Sequence, residues 1–305
     1  HVPVSRVVVL CFGCVTIWAT WHLARQLANG TVAVIAAAFL ASSSGFVLTS
    51  SQLLADVPGT AFGMVAVVLF HREMVVGRLR HSMWGVPLCV GLATFSRFGA
   101  PLMLGPALGA AFLMHTRQII RTRNVRVLVQ AVLLGISSAG ISAAMLFTDL
   151  VTFDNSTPYA ENSRLADLKG LTAGTGFEDL REVMNPWSSV LPIWSKPVAV
   201  IAGLGVVLSI VGVFRKRLSA SDVGFALAVA ASTTAAVAAS VGLVTYSYLF
   251  MALPFWAIVI AMGWSWPLHT IWLRFQSLRH VRIVGVTSAA IVLLLLVGSA
   301  AQATA

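Results

Sequence analysis

In residues 50–70, SSQLLADVPGTAFGMVAVVLF, a polar lead-in, a lone carboxylate and a proline open onto an uncharged apolar run. Asp56 is the only acid in the first 70 residues. A carboxylate at the mouth of an apolar segment is costly unless something uses it. Pro58 suits the first turn of a helix, where a missing N–H costs nothing. Asp56, two residues before it, is placed to cap that helix or to sit at its positive end. Two readings follow: a helix cap ahead of a membrane span, or an active-site carboxylate at a membrane surface.

The surrounding composition makes the apolar run one of many. The chain is 58% hydrophobic and 10% charged, with a mean hydropathy of +0.89. Soluble domains are nearer 45–50% apolar and about 25% charged. The apolar runs are long and lack the alternation of barrel strands, so the fold class is all-α, a polytopic integral membrane protein. Ten candidate spans occupy roughly residues 6–24, 31–48, 58–70, 83–96, 99–114, 127–148, 197–214, 223–242, 248–266 and 283–303. They divide the chain into N-terminal membrane helices (1–148), an extracytoplasmic loop with short helices (149–196) and C-terminal membrane helices (197–305).

Charge orients the spans. If they alternate with Arg25 in the cytoplasm, that side also receives Arg72, Arg78, Arg80, Arg117, Arg121, Arg123, Arg126, Arg215, Lys216, Arg217, Arg274, Arg279 and Arg282, or 14 of the 20 basic residues. The outer side keeps Arg6, Arg97, Arg164, Lys169, Arg181 and Lys196. This asymmetry is the positive-inside signature. It accounts for the net charge of +10 without nucleic acid, since no basic patch carries interleaved aromatics. The first span then runs inward from an outer start, which leads us to expect at least one further span and an outer loop ahead of His1.

The long outer segment carries 7 of the 10 acids. It begins with a loop-like Thr152-Phe153-Asp154-Asn155-Ser156-Thr157-Pro158, which contains an Asn-Ser-Thr glycosylation sequon. A loop of this length between spans is more often functional than filler. Leu268–Arg282 reads as a basic amphipathic segment on anionic lipid. Gly105-xxx-Gly109 reads as close helix packing. Cys11, Cys14 and Cys89 sit in apolar runs and read as packing residues despite the CxxC spacing of the first two.

Phosphate-binding, dinucleotide, zinc-protease and serine-hydrolase motifs are all missing from the sequence. No span carries a charge deep in its middle, which argues against an ion-driven transporter. Polar groups gather instead at the outer helix ends: Asp56, Arg97, Asp149, Lys196, Tyr246 and Tyr248. Acid, base and aromatic groups at a lipid-facing boundary suit a substrate with a lipid tail and a phosphate head. A basic side chain would hold phosphate, aromatics would stack on sugar, and a carboxylate would bind a divalent cation or act as base.

These residues resemble a known family. Trp18–Gly30 (WATWHLARQLANG), Val32–Leu40 (VAVIAAAFL) and Ser51–Phe70 look like the early spans of the polytopic C-type glycosyltransferases. That group includes the dolichyl-phosphate-mannose protein mannosyltransferases and the bacterial aminoarabinose transferases. Gly91–Arg97 (GLATFSR) and Tyr246–Gly263 (YSYLFMALPFWAIVIAMG) continue the likeness. The resemblance implies sugar transfer from a polyprenyl-phosphate donor to a protein, lipid or glycan acceptor at the extracytoplasmic face of the plasma membrane. It implies Asp56 as the second outer acidic position near the active site, Arg97 as a donor-phosphate contact and Tyr248 beside the donor pocket; Tyr246 and Lys196, at the outer helix ends, are further substrate-binding candidates.

Ser247 stands where the family often has a basic residue or histidine. The family's principal carboxylate lies in the first outer loop, and this chain opens at what resembles that loop's tail, His1–Arg6. The expectation is therefore an N-terminally truncated transferase. The alternatives are a transporter or flippase of lipid-linked sugar, or a noncatalytic membrane scaffold.

Overall fold

The computed structural model describes residues 2–51, 56–76, 82–97, 100–121, 125–153, 194–240 and 249–276. Ten helices occupy these residues: α1 (Val2–Leu27), α2 (Gly30–Ser42), α3 (Ser44–Ser51), α4 (Asp56–Val76), α5 (Ser82–Ser96), α6 (Ala100–Arg121), α7 (Val125–Phe153), α8 (Lys196–Phe214), α9 (Ala220–Ser240) and α10 (Leu253–Gln276). No strand occurs among them. The all-α expectation holds. Four of the helices are long and apolar enough to cross a membrane, at Arg6–Leu27, Val125–Ala144, Lys196–Phe214 and Ala220–Val237.

Helix boundaries follow local chemistry. The Asn29 side chain accepts a hydrogen bond from Val32 N at 3.0 Å, which caps α2. The span expected over 31–48 is two helices, because Ser43 is extended (φ −65°, ψ 123°). Ser42-Ser43-Ser44 supplies the reason. Short hydroxyl side chains offer the backbone alternative partners, and Ser42 Oγ donates to Phe39 O at 2.9 Å. Helix α7 runs through Phe153, so Thr152 and Phe153 are helical rather than the start of a loop. Leu268–Gln276, expected to lie apart on the lipid surface, continues α10 through Pro267. The remainder of that segment, the ninth-to-tenth span connection, most of the 149–196 loop and the 283–303 span lie outside the described residues.

Six helices close a circuit: α1 packs on α2, α2 on α10, α10 on α9, α9 on α6, α6 on α4 and α4 back on α1. Helices α5 and α7 flank the α4–α6 side, and α8 flanks α10. Ala61, Met64, Ala66 and Val67 of α4 are fully buried inside the ring. The outer helices present apolar side chains outward instead, among them Val129, Leu133 and Ile136 of α7 and Val200, Leu204 and Val207 of α8. Apolar residues on both the inside and the outside fit a bundle whose solvent is lipid.

Side-chain contacts fix the relative direction of several helices. Gln26, His71, His115 and Phe225 meet at one end of the bundle, bringing together the ends of α1, α4 and α6 and the start of α9. Asp56 meets Arg97 at the other, where α4 starts and α5 stops.

Candidate functional site

The Asp56 end gathers most of the residues singled out in the sequence. Asp56 opens α4 and is only 2% exposed. Arg97 follows the last turn of α5, with its backbone N–H on Ala93 O at 2.9 Å and its carbonyl accepting from Ala100 N at 3.0 Å. These bonds hold the turn between α5 and α6, so the guanidinium projects from a fixed corner. Its Nε stands 2.9 Å from Asp56 Oδ1. That is ion-pair distance, yet the N–H is not aligned on Oδ1 as a hydrogen bond. Asp56 is thus more than a helix cap: its carboxylate is committed to a basic side chain on another helix.

Gly59 makes this approach possible. A Cβ there would lie 2.9 Å from Arg97 Cβ and 3.4 Å from Ala93 O. Sequence reasoning passed over Gly59. The available signal was a glycine one turn into a helix that begins with a lone acid. We expect Gly59→Val to push the end of α5 off α4 and separate the ion pair. Pulsed distance measurements between spin labels on the two helices would show the gap widen, and an unchanged distance would contradict the close packing.

The pair sits among buried hydroxyls. Ser50 at the end of α3 and Thr60, one turn below Asp56, are both buried with oxygens lacking a hydrogen-bond partner. An apolar core links this region to other candidates. It unites Phe46 of α3, Val57, Val198 of α8, and Leu249 and Phe250 before α10. Phe46 and Phe250 stack at 4.8 Å, and Phe39 meets Trp194 edge-on at 6.0 Å. Val57 adjoins Asp56, and Val198 lies two residues after Lys196, which is exposed at the start of α8. Leu249 follows Tyr248 directly. Tyr246 and Tyr248 themselves lie outside the described residues. Lys196 and Asp56 are therefore brought to one end of the bundle, with no direct contact recorded between them.

A cavity of about 550 Å³ opens alongside, between α4, α5, α6 and α7. Val90, Pro101, Gly105, Gly109, Gly135 and Ser142 are among its walls. Ser142 Oγ lies 3.1 Å from Thr94 Oγ1, one turn before Arg97, so one wall of the cavity comes within about a helical turn of the ion pair's arginine. From Pro101 to Phe112 it follows α6 for about 16 Å at 1.5 Å per residue. Gly105 and Gly109 correct an expectation. A Cβ at either would meet nothing within 4 Å, so they line the cavity instead of packing helix against helix.

A cation at this site would need more than Asp56. Among the described residues no group of three histidine, cysteine, aspartate or glutamate side chains could hold a metal ion. Asp56 is turned toward Arg97, so the described residues alone do not make a metal cage.

Residues 3–141, somewhat less than half of the chain, match the family model described as dolichyl-phosphate-mannose-protein mannosyltransferase. The matched stretch contains Asp56, Gly59 and Arg97 and most of the cavity walls. No curated protein and no solved structure matches the chain. Residues 3–141 of this all-helical membrane protein are similar to the dolichyl-phosphate-mannose-protein mannosyltransferases.

Proposed function

We propose that the chain takes part in moving a sugar from a polyprenyl-phosphate donor to an acceptor hydroxyl at the extracytoplasmic face of the plasma membrane. The observation that carries this reading is the buried Asp56–Arg97 pair, with an apolar cavity whose wall residue Ser142 contacts Thr94 one helical turn before Arg97. A lipid phosphate needs both parts: a cation for its head and a water-free channel for its tail. The family match supports the sugar-transfer chemistry.

The residues divide the work by charge. Arg97 offers a forked donor to phosphate, for which guanidinium geometry is well suited. A phosphate bound there competes with Asp56 for the same guanidinium. The released carboxylate is then available as a general base for the acceptor hydroxyl. The hydroxyl oxygen forms a bond to the anomeric carbon while the bond from that carbon to the phosphate oxygen breaks. Polyprenyl phosphate departs, and Arg97 offsets the charge that develops on it. Lys196 provides a second cation at the same end, and Tyr246 and Tyr248 are placed by sequence to border the sugar.

The test is sugar transfer in vitro from a panel of polyprenyl-phosphate sugars, with long and short tails. The wild-type protein, in a form that includes any native sequence upstream of His1, should transfer at least one sugar. A Cβ at Gly105 meets nothing within 4 Å, so Gly105→Leu would extend its side chain into the cavity. It should raise KM for long-tailed donors roughly tenfold, since burying several fewer methylenes at about 0.8 kcal/mol each readily exceeds the 1.4 kcal/mol of one decade. The short-tailed donors should be little affected. Absence of transfer by a folded, inserted protein would overturn the reading and favour transport or scaffolding.

A further inference from the structure

The opposite end of the bundle holds two histidines that the transfer reading does not use. His71 of α4 and His115 of α6 are 1% and 7% exposed. Their ring centres lie 5.0 Å apart with the planes at 69°. His71 Nδ1 is 3.1 Å from Gln26 Oε1 of α1. With the amide oxygen as acceptor, Nδ1 would carry the proton, which would leave the lone pair of His71 on Nε2. That Nε2 is buried without a hydrogen-bond partner, and so is Nε2 of His115.

We propose that His71 and His115 together bind a divalent transition-metal ion between α4 and α6. Three features point to this. First, the spacing fits. A metal about 2.0–2.1 Å from each nitrogen lies roughly 3.2 Å from each ring centre, so a tetrahedral angle separates the centres by about 5 Å. Second, the Gln26 contact is the outer-shell arrangement metal-binding histidines use, in which the far N–H is held by an oxygen and the near nitrogen is left basic. Third, buried polar nitrogens normally find a partner, and two buried ring nitrogens without one, on rings 5.0 Å apart, could share a metal ion. Asp222 stands in the first turn of α9, the helix whose Phe225 ring lies 5.7 Å from His71, and its charge acts on His115. It supplies compensating negative charge on that side. Water completes the coordination, because among the described residues no third ligand joins the pair.

Imidazole selects ions such as Zn(II), Co(II) and Ni(II), whereas Mg(II) prefers oxygen ligands. The ion would clasp α4 to α6 and, through Gln26, to α1. The inference stands independently of the transfer reading.

The experiment uses the full chain in detergent, purified without a polyhistidine tag and stripped with chelator. Titration with Co(II), followed by its visible absorption, should give one saturable site, and Zn(II) should raise the melting midpoint while Mg(II) should not. His71→Gln and His115→Gln should each weaken Co(II) binding at least tenfold. Gln26→Leu should weaken it by about 10–100-fold as an outer-shell loss. His269→Gln, at an exposed position of α10, should change nothing. X-ray absorption at the zinc edge of the wild-type protein should show two imidazole ligands, a readout that does not depend on the variants folding. No saturable binding to the wild-type protein, or binding indifferent to both histidine variants, would overturn the proposal.

Discussion

Arg97→Ala is expected to destabilise the protein more than Asp56→Asn, and both are expected to abolish most transfer. The asymmetry follows from burial. Asp56 is 2% exposed and Arg97 is 28% exposed. Removing the arginine strands a carboxylate where water cannot reach it, and breaking a buried pair in this way costs about 3–5 kcal/mol. Removing the charge of Asp56 leaves a guanidinium that is still partly solvated and can turn outward along its long stem. Its loss should therefore cost less. Melting of the detergent-solubilised variants would rank the two. The double replacement Asp56→Leu with Arg97→Met separates structure from chemistry. Apolar side chains of similar volume often restore or exceed the stability of a buried ion pair. That variant should melt near the wild type and still transfer no sugar, since losing one charge-stabilising group typically lowers turnover by about 10²–10³. Full transfer by a stable double variant would make the pair a structural clasp and remove Asp56 and Arg97 from the site.

Much of this arrangement was legible in residue order. Asp56 stood out because it is a single acid in 70 apolar residues, and Arg97 because it ends a run of small side chains. Alternating spans put both at the same end, and the ion pair joins them there. The break at Ser43 was harder to see, because Phe39–Val47 is apolar enough on average to read as one span. Three consecutive serines were the sign. Glycines misled more seriously. Gly105 and Gly109 have the spacing of a packing motif and line a cavity, whereas Gly205 and Gly263, far apart in sequence, make the tightest glycine contact among the described residues. Spacing along one helix shows which residues share a face, but not what that face meets. The His71–Gln26–His115 cluster was invisible for the same reason: its members come from three helices and share no motif. Tyr246 and Tyr248 lie outside the described residues, so their proposed role rests on the sequence alone.

Gly263→Leu should prevent α8 from docking on α10 and should abolish activity with it. A Cβ at Gly263 would collide with the Gly205 carbonyl and would also lie 2.9 Å from Ser209 N. Both obstacles are helix backbone, which cannot turn aside as a side chain can. A Cβ at Gly205 would be caught in turn, at 2.7 Å from Ile260 Cγ2 and 3.0 Å from Ile260 O. Overpacking a core by one or a few methylenes usually costs about 1–3 kcal/mol, with side chains absorbing part of it. Here Gly263→Ala should already reach the top of that range, and leucine should exceed it. Two hydrogen bonds across the same interface would go as well, Trp264 Nε1 to Ile201 O at 3.0 Å and Trp266 Nε1 to Leu208 O at 3.1 Å. Between lipid-facing helices the indole N–H groups would find few replacements. Helix α8 begins at Lys196, and α10 follows the Tyr246–Tyr248 stretch, so parting them should also pull apart one side of the site. Gly203→Ala is the control. It lies on α8, nothing comes within 4 Å of its added methyl, and alanine favours the helix by about 1 kcal/mol. A melting midpoint that falls for Gly263→Ala and holds or rises for Gly203→Ala would locate the contact at Gly205–Gly263. Equal behaviour of the two would mean that α8 and α10 do not meet through their glycines, and activity lost in Gly263→Leu would need another cause.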